Sequence, residues 1–436
     1  MSKGIRYSIV SPSAGQFKYE IREIVGLGHK LQSMGLDIVW ENIGDPIEKG
    51  EQLPGWIKNI VMNLAADDRS YRYTATQGDL ETRRFLVEMN HKRGGALLDE
   101  DDIIFFNGLG DAVARMFGSM KREARVIGPS PAYPTHSSAE AAHSGYNHVT
   151  YKLLYENNWT PDIEEIENKV KYNDTIAGIL VINPGNPTGT VLQKEVLVKI
   201  VDIARRYGLM VIADEIYANI TYNSASMTLL SEVIDDVPGI SLKGISKEFP
   251  WPGGRSGWME VYNRHADKSF EEYISSIVNA KMLEVCSTSL PQLAIPLVMK
   301  DDRYPGHIEK RRKIFESRTN EAVDIFRKVK GVSVVRPQGA FYMTIVFNKD
   351  VLTGSLTLPI DNLKIRQFIE PLLIGLKPDK RFAYYLLASK GICVVPLTGF
   401  YCNIPGFRIT MLECDDKKRV ETWKNIAESI DQYLKS

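Results

Sequence analysis

The four apolar residues Ile179-Leu180-Val181-Ile182 give way to the polar, proline- and glycine-rich run Asn183-Pro184-Gly185-Asn186-Pro187-Thr188-Gly189. Apolar positions then return at Leu192, Val196, Ile200, Ile203 and Tyr207. Spacings of three and four predict a helix, and Gly208 stands where a left-handed residue would close it. Leu209-Met210-Val211-Ile212-Ala213 follows as a second strand-like run. Strand, helix and strand in this order predict a βαβ unit with parallel strands, nearly always right-handed. Both strands then end at one edge of the sheet, so the Asn186 loop and the turn Asp214-Glu215-Ile216-Tyr217 open on a common crevice, where ligands of open α/β sheets bind.

Upstream, Ile103-Ile104-Phe105-Phe106 leads into Asn107-Gly108-Leu109-Gly110-Asp111 and an apolar-periodic run through Met116 and Met120. A strand, a glycine turn and a helix start bring free backbone N–H groups and the positive end of the helix dipole together, which suits an anion. The turn has neither the Walker nor the GxGxxG spacing, so alone it is weak evidence. Beyond about residue 320 the pattern changes. Residues 332–335, 341–347 and 407–411 read as short strands and 420–433 as a helix, predicting a smaller α+β unit. Residues 348–382, with Gly354, Pro359, Pro371 and Pro378, read as an excursion placed to cover a site mouth. The expected class is α/β, a large domain with a mostly parallel sheet between helices plus a smaller α+β domain built from both chain ends. The expected division is 1–53 as N-terminal arm and part of the small domain, 54–318 as the large domain and 319–436 as the C-terminal small domain.

Composition narrows the function. Among 436 residues, Lys plus Arg and Asp plus Glu both number 54, so the chain carries no overall charge for nucleic acid or anionic membrane. A hydrophobic content of 44% without any run of about 20 apolar residues is that of a globular protein with no membrane span. Met1-Ser2-Lys3-Gly4-Ile5-Arg6 lacks an apolar core, which argues against a secretory signal and for a cytoplasmic setting. Cys286, Cys393, Cys402 and Cys414 show no CxxC spacing and read as free thiols. The seven histidines form no HxxH or HExxH pair, so metal chemistry has no support.

One constellation remains. Asp214 closes the second strand, Lys247 stands in Gly244-Ile245-Ser246-Lys247-Glu248-Phe249, and Arg255 follows eight residues later in Arg255-Ser256-Gly257-Trp258. A carboxylate, an amine and a guanidinium are the three handles that pyridoxal phosphate needs: an imine with its aldehyde, a partner for its ring nitrogen and one for its phosphate. Each residue also has an ordinary reading. Lys247 would be a surface lysine, Asp214 a cap after a strand, Asn186 and Tyr217 turn residues, Tyr133 a core or surface aromatic, and Arg408 a surface ion-pair residue.

As an ordered set, the chain resembles the fold-type I pyridoxal-phosphate enzymes of the class I/II aminotransferase family, from Ile43-Gly44-Asp45-Pro46 to Phe407-Arg408-Ile409, most closely the alanine-transaminase-like branch. The resemblance implies that Lys247, next to Ser246, bonds the cofactor and that Asp214 holds the ring nitrogen. It implies that Tyr217 and Asn186 bond the phenolic oxygen and that Tyr133 stacks on the ring. Gly108, Leu109, Gly110 and Arg255 would take the phosphate. Arg408 would fork the substrate's α-carboxylate, which Gly44 and Asn186 approach, and Tyr73 would be lent across a homodimer interface to the neighbour's phosphate.

The implied reaction is a ping-pong transfer between an amino acid and a 2-oxo acid, with glutamate/2-oxoglutarate as shared pair and alanine or aspartate as the other donor. The same α-carbanion serves β-elimination, as in C–S lyases, or decarboxylation. A non-catalytic sensor of this fold is disfavoured, because the roughly 40 residues before Ile43 show no basic excess or helix-turn-helix pattern. Two departures stand out. Gly244 replaces a hydroxyl residue frequent three positions before the lysine, worth about 1 kcal/mol as a hydrogen bond. The run Phe249-Pro250-Trp251-Pro252-Gly253-Gly254 predicts a stiff loop beside the site.

Overall fold

A computed structural model describes residues 14–15 and 20–436, and Met1-Ser2-Lys3-Gly4-Ile5-Arg6 with much of the expected N-terminal arm lies outside them. After the two-residue strand β1 (Val39–Trp40) come the eight strands of the main sheet. They are β2 (Ile103–Phe106), β3 (Arg125–Ser130), β4 (Thr150–Leu154), β5 (Thr160–Pro161), β6 (Ile176–Ile182), β7 (Met210–Asp214), β8 (Gly239–Gly244) and β9 (Gly257–Tyr262), in spatial order β2-β9-β8-β7-β6-β3-β4-β5. The pairs from β4 through β3, β6 and β7 to β8 are parallel. Strand β9 runs antiparallel to both its neighbours, and β5 antiparallel to β4, so the sheet is mixed.

The predicted βαβ unit is present. Strands β6 and β7 pair in parallel, with Ile182 opposite Asp214, and the helix Lys194–Tyr207 between them ends in left-handed Gly208. Every residue of β7 and nearly all of β6 is buried, because helices cover both faces of the sheet. One face packs Ile179, Val181, Val211 and Ala213 against Leu197, Ile200 and Ala204, while the other packs Leu180, Ile182 and Ile212 against Val113, Met116 and Ile277.

The second sheet, in the order β10-β11-β14-β13, is formed by β10 (Val332–Val334), β11 (Tyr342–Phe347), β13 (Val395–Pro396) and β14 (Gly406–Thr410). The remaining strand, β12 (Ile392–Cys393), pairs in parallel with β1. Its core takes Ile24, Leu27 and Leu31 from the helix Glu20–Ser33 together with Phe382, Phe407, Trp423 and Tyr433 from the far end of the chain. The stretch 348–382 belongs to that core too. Its Leu356, Leu358, Ile360, Ile365 and Ile369 are buried there, and Thr357 N donates to Ser436 Oγ beside the closing helix Asp416–Leu434. The expected cover over the site mouth is therefore corrected. The apolar side chains at 356, 358 and 360 alternate as in an extended chain and bury one face, which the proline count concealed. Among the described residues no helix is long and apolar enough to cross a membrane.

Candidate active site

Strand registers bring the predicted residues to one edge. In the parallel part, the carboxyl ends of β3, β6, β7 and β8 lead to Tyr133, Asn186, Asp214 and Lys247. Strand β9 runs the other way, so its beginning lies at that edge, with Gly257 opposite Gly244, and Arg255 just precedes it. Strand β2 opposes β9 in turn, with Phe106 opposite Gly257, which delivers Gly108 to the same place.

Lys247 stands on a four-residue helix, Ile245–Glu248, directly after β8 and not on a loop. Its Nζ donates to the carbonyl of Gly44 at 2.8 Å. Burial pushes the amine down to about 8; Asp45 and Asp214 oppose that shift, and Arg408 and Arg255 add to it. The helix is held from behind by a residue the sequence pattern did not single out. Arg311, 3% exposed, donates from Nη1 to the carbonyls of Lys247 and Glu248 at 2.6 and 3.3 Å, and forks Glu51 at 2.5 and 3.0 Å. It satisfies carbonyls that so short a helix leaves unpaired.

Asp214 accepts a hydrogen bond from Ile216 N at 3.2 Å, and its other oxygen meets His136 Nε2 at 2.8 Å. His136 sits on the helix Pro134–Ser144, just after Tyr133, which is its N-cap residue. Nothing in the residue order links 136 with 214; only the spatial order β3-β6-β7 does. Tyr217 is buried, its hydroxyl 3.1 Å from that of Tyr342. Burial drives the phenol of Tyr217 well above its ordinary value, and Tyr342 and Tyr133 add to the shift, so the three tyrosines share one neighbourhood.

Gly108 has φ 84° and caps the helix Leu109–Gly118 without a side-chain hydrogen bond. A Cβ there would lie 2.5 Å from Nη2 of Arg255, so the guanidinium seats against this turn because the residue is glycine. Leu109 packs against the core beneath, and Gly110 has open space above it. Arg255 itself has φ 48°, a strained conformation outside glycine, at the end of the turn Pro252–Gly254. It donates to the carbonyls of Pro252 at 3.1 Å and Asn107 at 3.3 Å. The proline-rich run thus forms a rest for the arginine. Gly244 also has a local reason: a Cβ would meet the carbonyl of Ser256 at 3.0 Å and Gly257 Cα at 3.1 Å, leaving little room for a hydroxyl side chain.

The small sheet supplies the other wall. Arg408 on β14 is 3% exposed, unlike a surface ion-pair residue. It donates to Asn186 Oδ1 at 3.1 Å and to the carbonyl of Asn42 at 2.5 Å, while its buried Nε has no hydrogen-bond partner among the described residues. Ser246 lies beside Lys247 and is partly buried. Tyr73 is 78% exposed, and of the other predicted site residues Gly110 and Arg255 are exposed as well.

These features fit a phosphorylated aldehyde cofactor. A glycine cradle with a guanidinium seated in it suits the phosphate, an amine of lowered basicity suits the aldehyde, and a buried carboxylate suits the ring nitrogen. The aminotransferase class I and II family model matches residues 40–424. The chain belongs to that family. Over 99% of its length it is 51% identical to the full length of an uncharacterized aminotransferase of Methanocaldococcus jannaschii. It is 29% identical to a glutamate-pyruvate aminotransferase of Escherichia coli over 74% of this chain and 79% of that protein. The solved alanine aminotransferase of Pyrococcus furiosus superposes with a TM-score of 0.82 at 25% identity, covering 96% of this chain and 99% of that one. The protein is thus a pyridoxal 5'-phosphate-dependent aminotransferase with the fold-type I architecture.

Proposed function

We propose that this aminotransferase exchanges an amino group between alanine or aspartate and a 2-oxo acid, with glutamate/2-oxoglutarate as the shared pair. The observation that carries the reading is the buried amine of Lys247, held 2.8 Å from the Gly44 carbonyl beside Arg408. The names of the Escherichia coli and Pyrococcus furiosus relatives, which specify glutamate-pyruvate and alanine, favour alanine. Pyridoxal phosphate, when bound, supplies the electron sink that makes an amino acid's α-hydrogen acidic.

The chain's own residues then divide the work. Lys247 Nζ, of lowered basicity, would take the substrate's α-proton and deliver it to the carbon that comes from the cofactor's aldehyde. Arg408 grips the α-carboxylate, with Gly44 and Asn186 alongside. Asp214, oriented by His136, pairs the ring nitrogen, Tyr217 and Asn186 face the ring oxygen, and Tyr133 covers the ring. Gly108, Leu109, Gly110, Ser246 and Arg255 surround the phosphate, helped by the dipole of the helix that begins at Leu109. A second copy of the chain would bring Tyr73 to that phosphate. Supporting this, Tyr73, Tyr71 and Met62 are all exposed, and the helices Gly55–Ala65 and Ser289–Met299 lie against the turn that carries Tyr71. In this reading the large domain spans 54–318, and the described part of 1–53 beyond the arm goes with 319–436 in the small one.

Alanine with 2-oxoglutarate should yield pyruvate and glutamate in equal amounts. Cystathionine without any oxo-acid acceptor should yield no pyruvate or ammonia. Release of pyruvate and ammonia in the second assay, with no product in the first, would replace transamination by β-elimination.

A further inference from the structure

We propose that Tyr342 is a positioning residue that couples the arginine receiving the substrate carboxylate to the tyrosine facing the cofactor's ring oxygen. The proposal rests on the reading of the site given above. Its basis is geometric. Strands β11 and β14 pair with Tyr342 opposite Thr410 and Thr344 opposite Arg408. Residues 342 and 344 share one face of the pleat, so Tyr342 and Arg408 are diagonal neighbours on it, within reach for long side chains. The guanidinium carbon of Arg408 lies 4.3 Å from the centroid of the Tyr342 ring, with the Phe400 ring at 5.1 Å, so the charge is held between two aromatic groups. Such contacts keep a buried guanidinium in place without consuming its N–H donors.

The hydroxyl of the same residue reaches the other half of the site. It lies 3.1 Å from Tyr217 Oη, and a Cβ on residue 44 would fall 2.3 Å from it. Glycine at 44 is therefore what lets this hydroxyl approach the segment whose carbonyl holds Lys247. Tyr342 is 2% exposed, and its side chain touches the carboxylate arginine, the ring-oxygen tyrosine and the lysine's carbonyl partner together.

A phenol carries one proton to donate and lone pairs to accept. If Tyr217 donates to the cofactor oxygen, its bond with Tyr342 must run from Tyr342 to Tyr217. Donation into Tyr217 strengthens its own donation onward. The cation over the Tyr342 ring makes Tyr342 the better donor, and a carboxylate that neutralises Arg408 weakens that influence. Binding of substrate carboxylate and the basicity of the lysine-bound cofactor are thereby linked through a single side chain.

The test is a pH titration of the visible absorbance of the holoenzyme, with and without propionate, a carboxylate that lacks the amino group. Wild-type protein should show a titrating band whose midpoint rises when propionate binds. In Tyr342→Phe, which keeps the ring, propionate affinity should stay within about twofold. The midpoint of the free enzyme should rise by about 0.5 or more, and the propionate-induced rise should shrink by about half. Tyr342→Leu, which removes the ring as well, should in addition weaken propionate binding roughly tenfold. A Phe variant that titrates like wild type both with and without propionate overturns the proposal, whatever the Leu variant does. Wild-type protein with no titrating band, or with no response to propionate, would instead count against the reading of the site itself, so the two failures are distinct.

Discussion

The residues proposed to hold the cofactor and those proposed to hold the substrate are assembled in different ways. Asn186, Asp214, Lys247, Arg255 and Gly108 stand at ends of strands β6, β7, β8, β9 and β2, all in one sheet whose backbone pairing sets their spacing. Arg408, Tyr342 and Gly44 come from the small sheet and from a segment near its opposite chain end. The hydrogen bond from Arg408 to the carbonyl of Asn42 spans 366 positions. The cofactor wall is therefore positioned by sheet registers, and the substrate wall by packing of side chains between the two units. Damage to the first should show in chemistry and cofactor retention, and damage to the second in substrate affinity.

The largest effect tests the first wall. Lys247→Ala should lower turnover by on the order of 10⁴ and abolish the visible band of the lysine-bound cofactor, both read on the purified holoenzyme. Turnover that survived would show that Lys247 does not carry the cofactor. Asp214→Asn should cost roughly 10² to 10³ in kcat, since it takes the negative charge from the ring nitrogen and from the contact with His136. Substrate KM should change far less.

The second wall predicts the opposite split. Arg408→Lys keeps the charge but loses the planar fork, so KM for the amino acid should rise roughly 100-fold. Cofactor affinity, followed by fluorescence quenching, should stay within about twofold. Equal losses in both quantities would mean that the two walls are not separable. Arg311→Met probes the brace behind the lysine helix. It leaves Glu51 without its partner and should cost about 3 kcal/mol of stability in a urea titration.

The smallest effect concerns pH. In cofactor-free protein the Lys247 amine is pushed down to about 8, so it is protonated and unreactive below that pH. Its acylation rate should rise through a midpoint near 8. The same amine in unfolded chain titrates near 10.5. Between the two values the native state binds fewer protons, so this lysine makes the cofactor-free protein more stable as pH rises across that window. A midpoint near the ordinary lysine value would show that the amine is not buried in solution.

The cofactor wall was the more legible of the two in the residue order, for a physical reason. Apolar runs at 103–106, 179–182 and 209–213 are strands because only paired backbone can be buried on both faces, and a βαβ crossover sends its strands to one edge. That is enough to place Asn186 and Asp214 together. Lys247, however, stands on a four-residue helix, a length at which periodicity carries no signal. The stretch 348–382 looked like a cover because its prolines and glycines outweighed an alternation that the small-domain core uses.

What the sequence by itself determined is the family, the parallel core and the chemical types gathered at the crevice, since these follow from local patterns and from motifs in a set order. The tertiary structure alone decided that His136 meets Asp214, that Arg311 caps the lysine helix, and that Tyr342 bridges Arg408 and Tyr217. Each of those contacts joins positions 64 or more residues apart. A histidine, an arginine or a tyrosine has no spacing rule at such distances. Its partner is set by strand order, by register and by which side chains remain when burial has removed water from the rest.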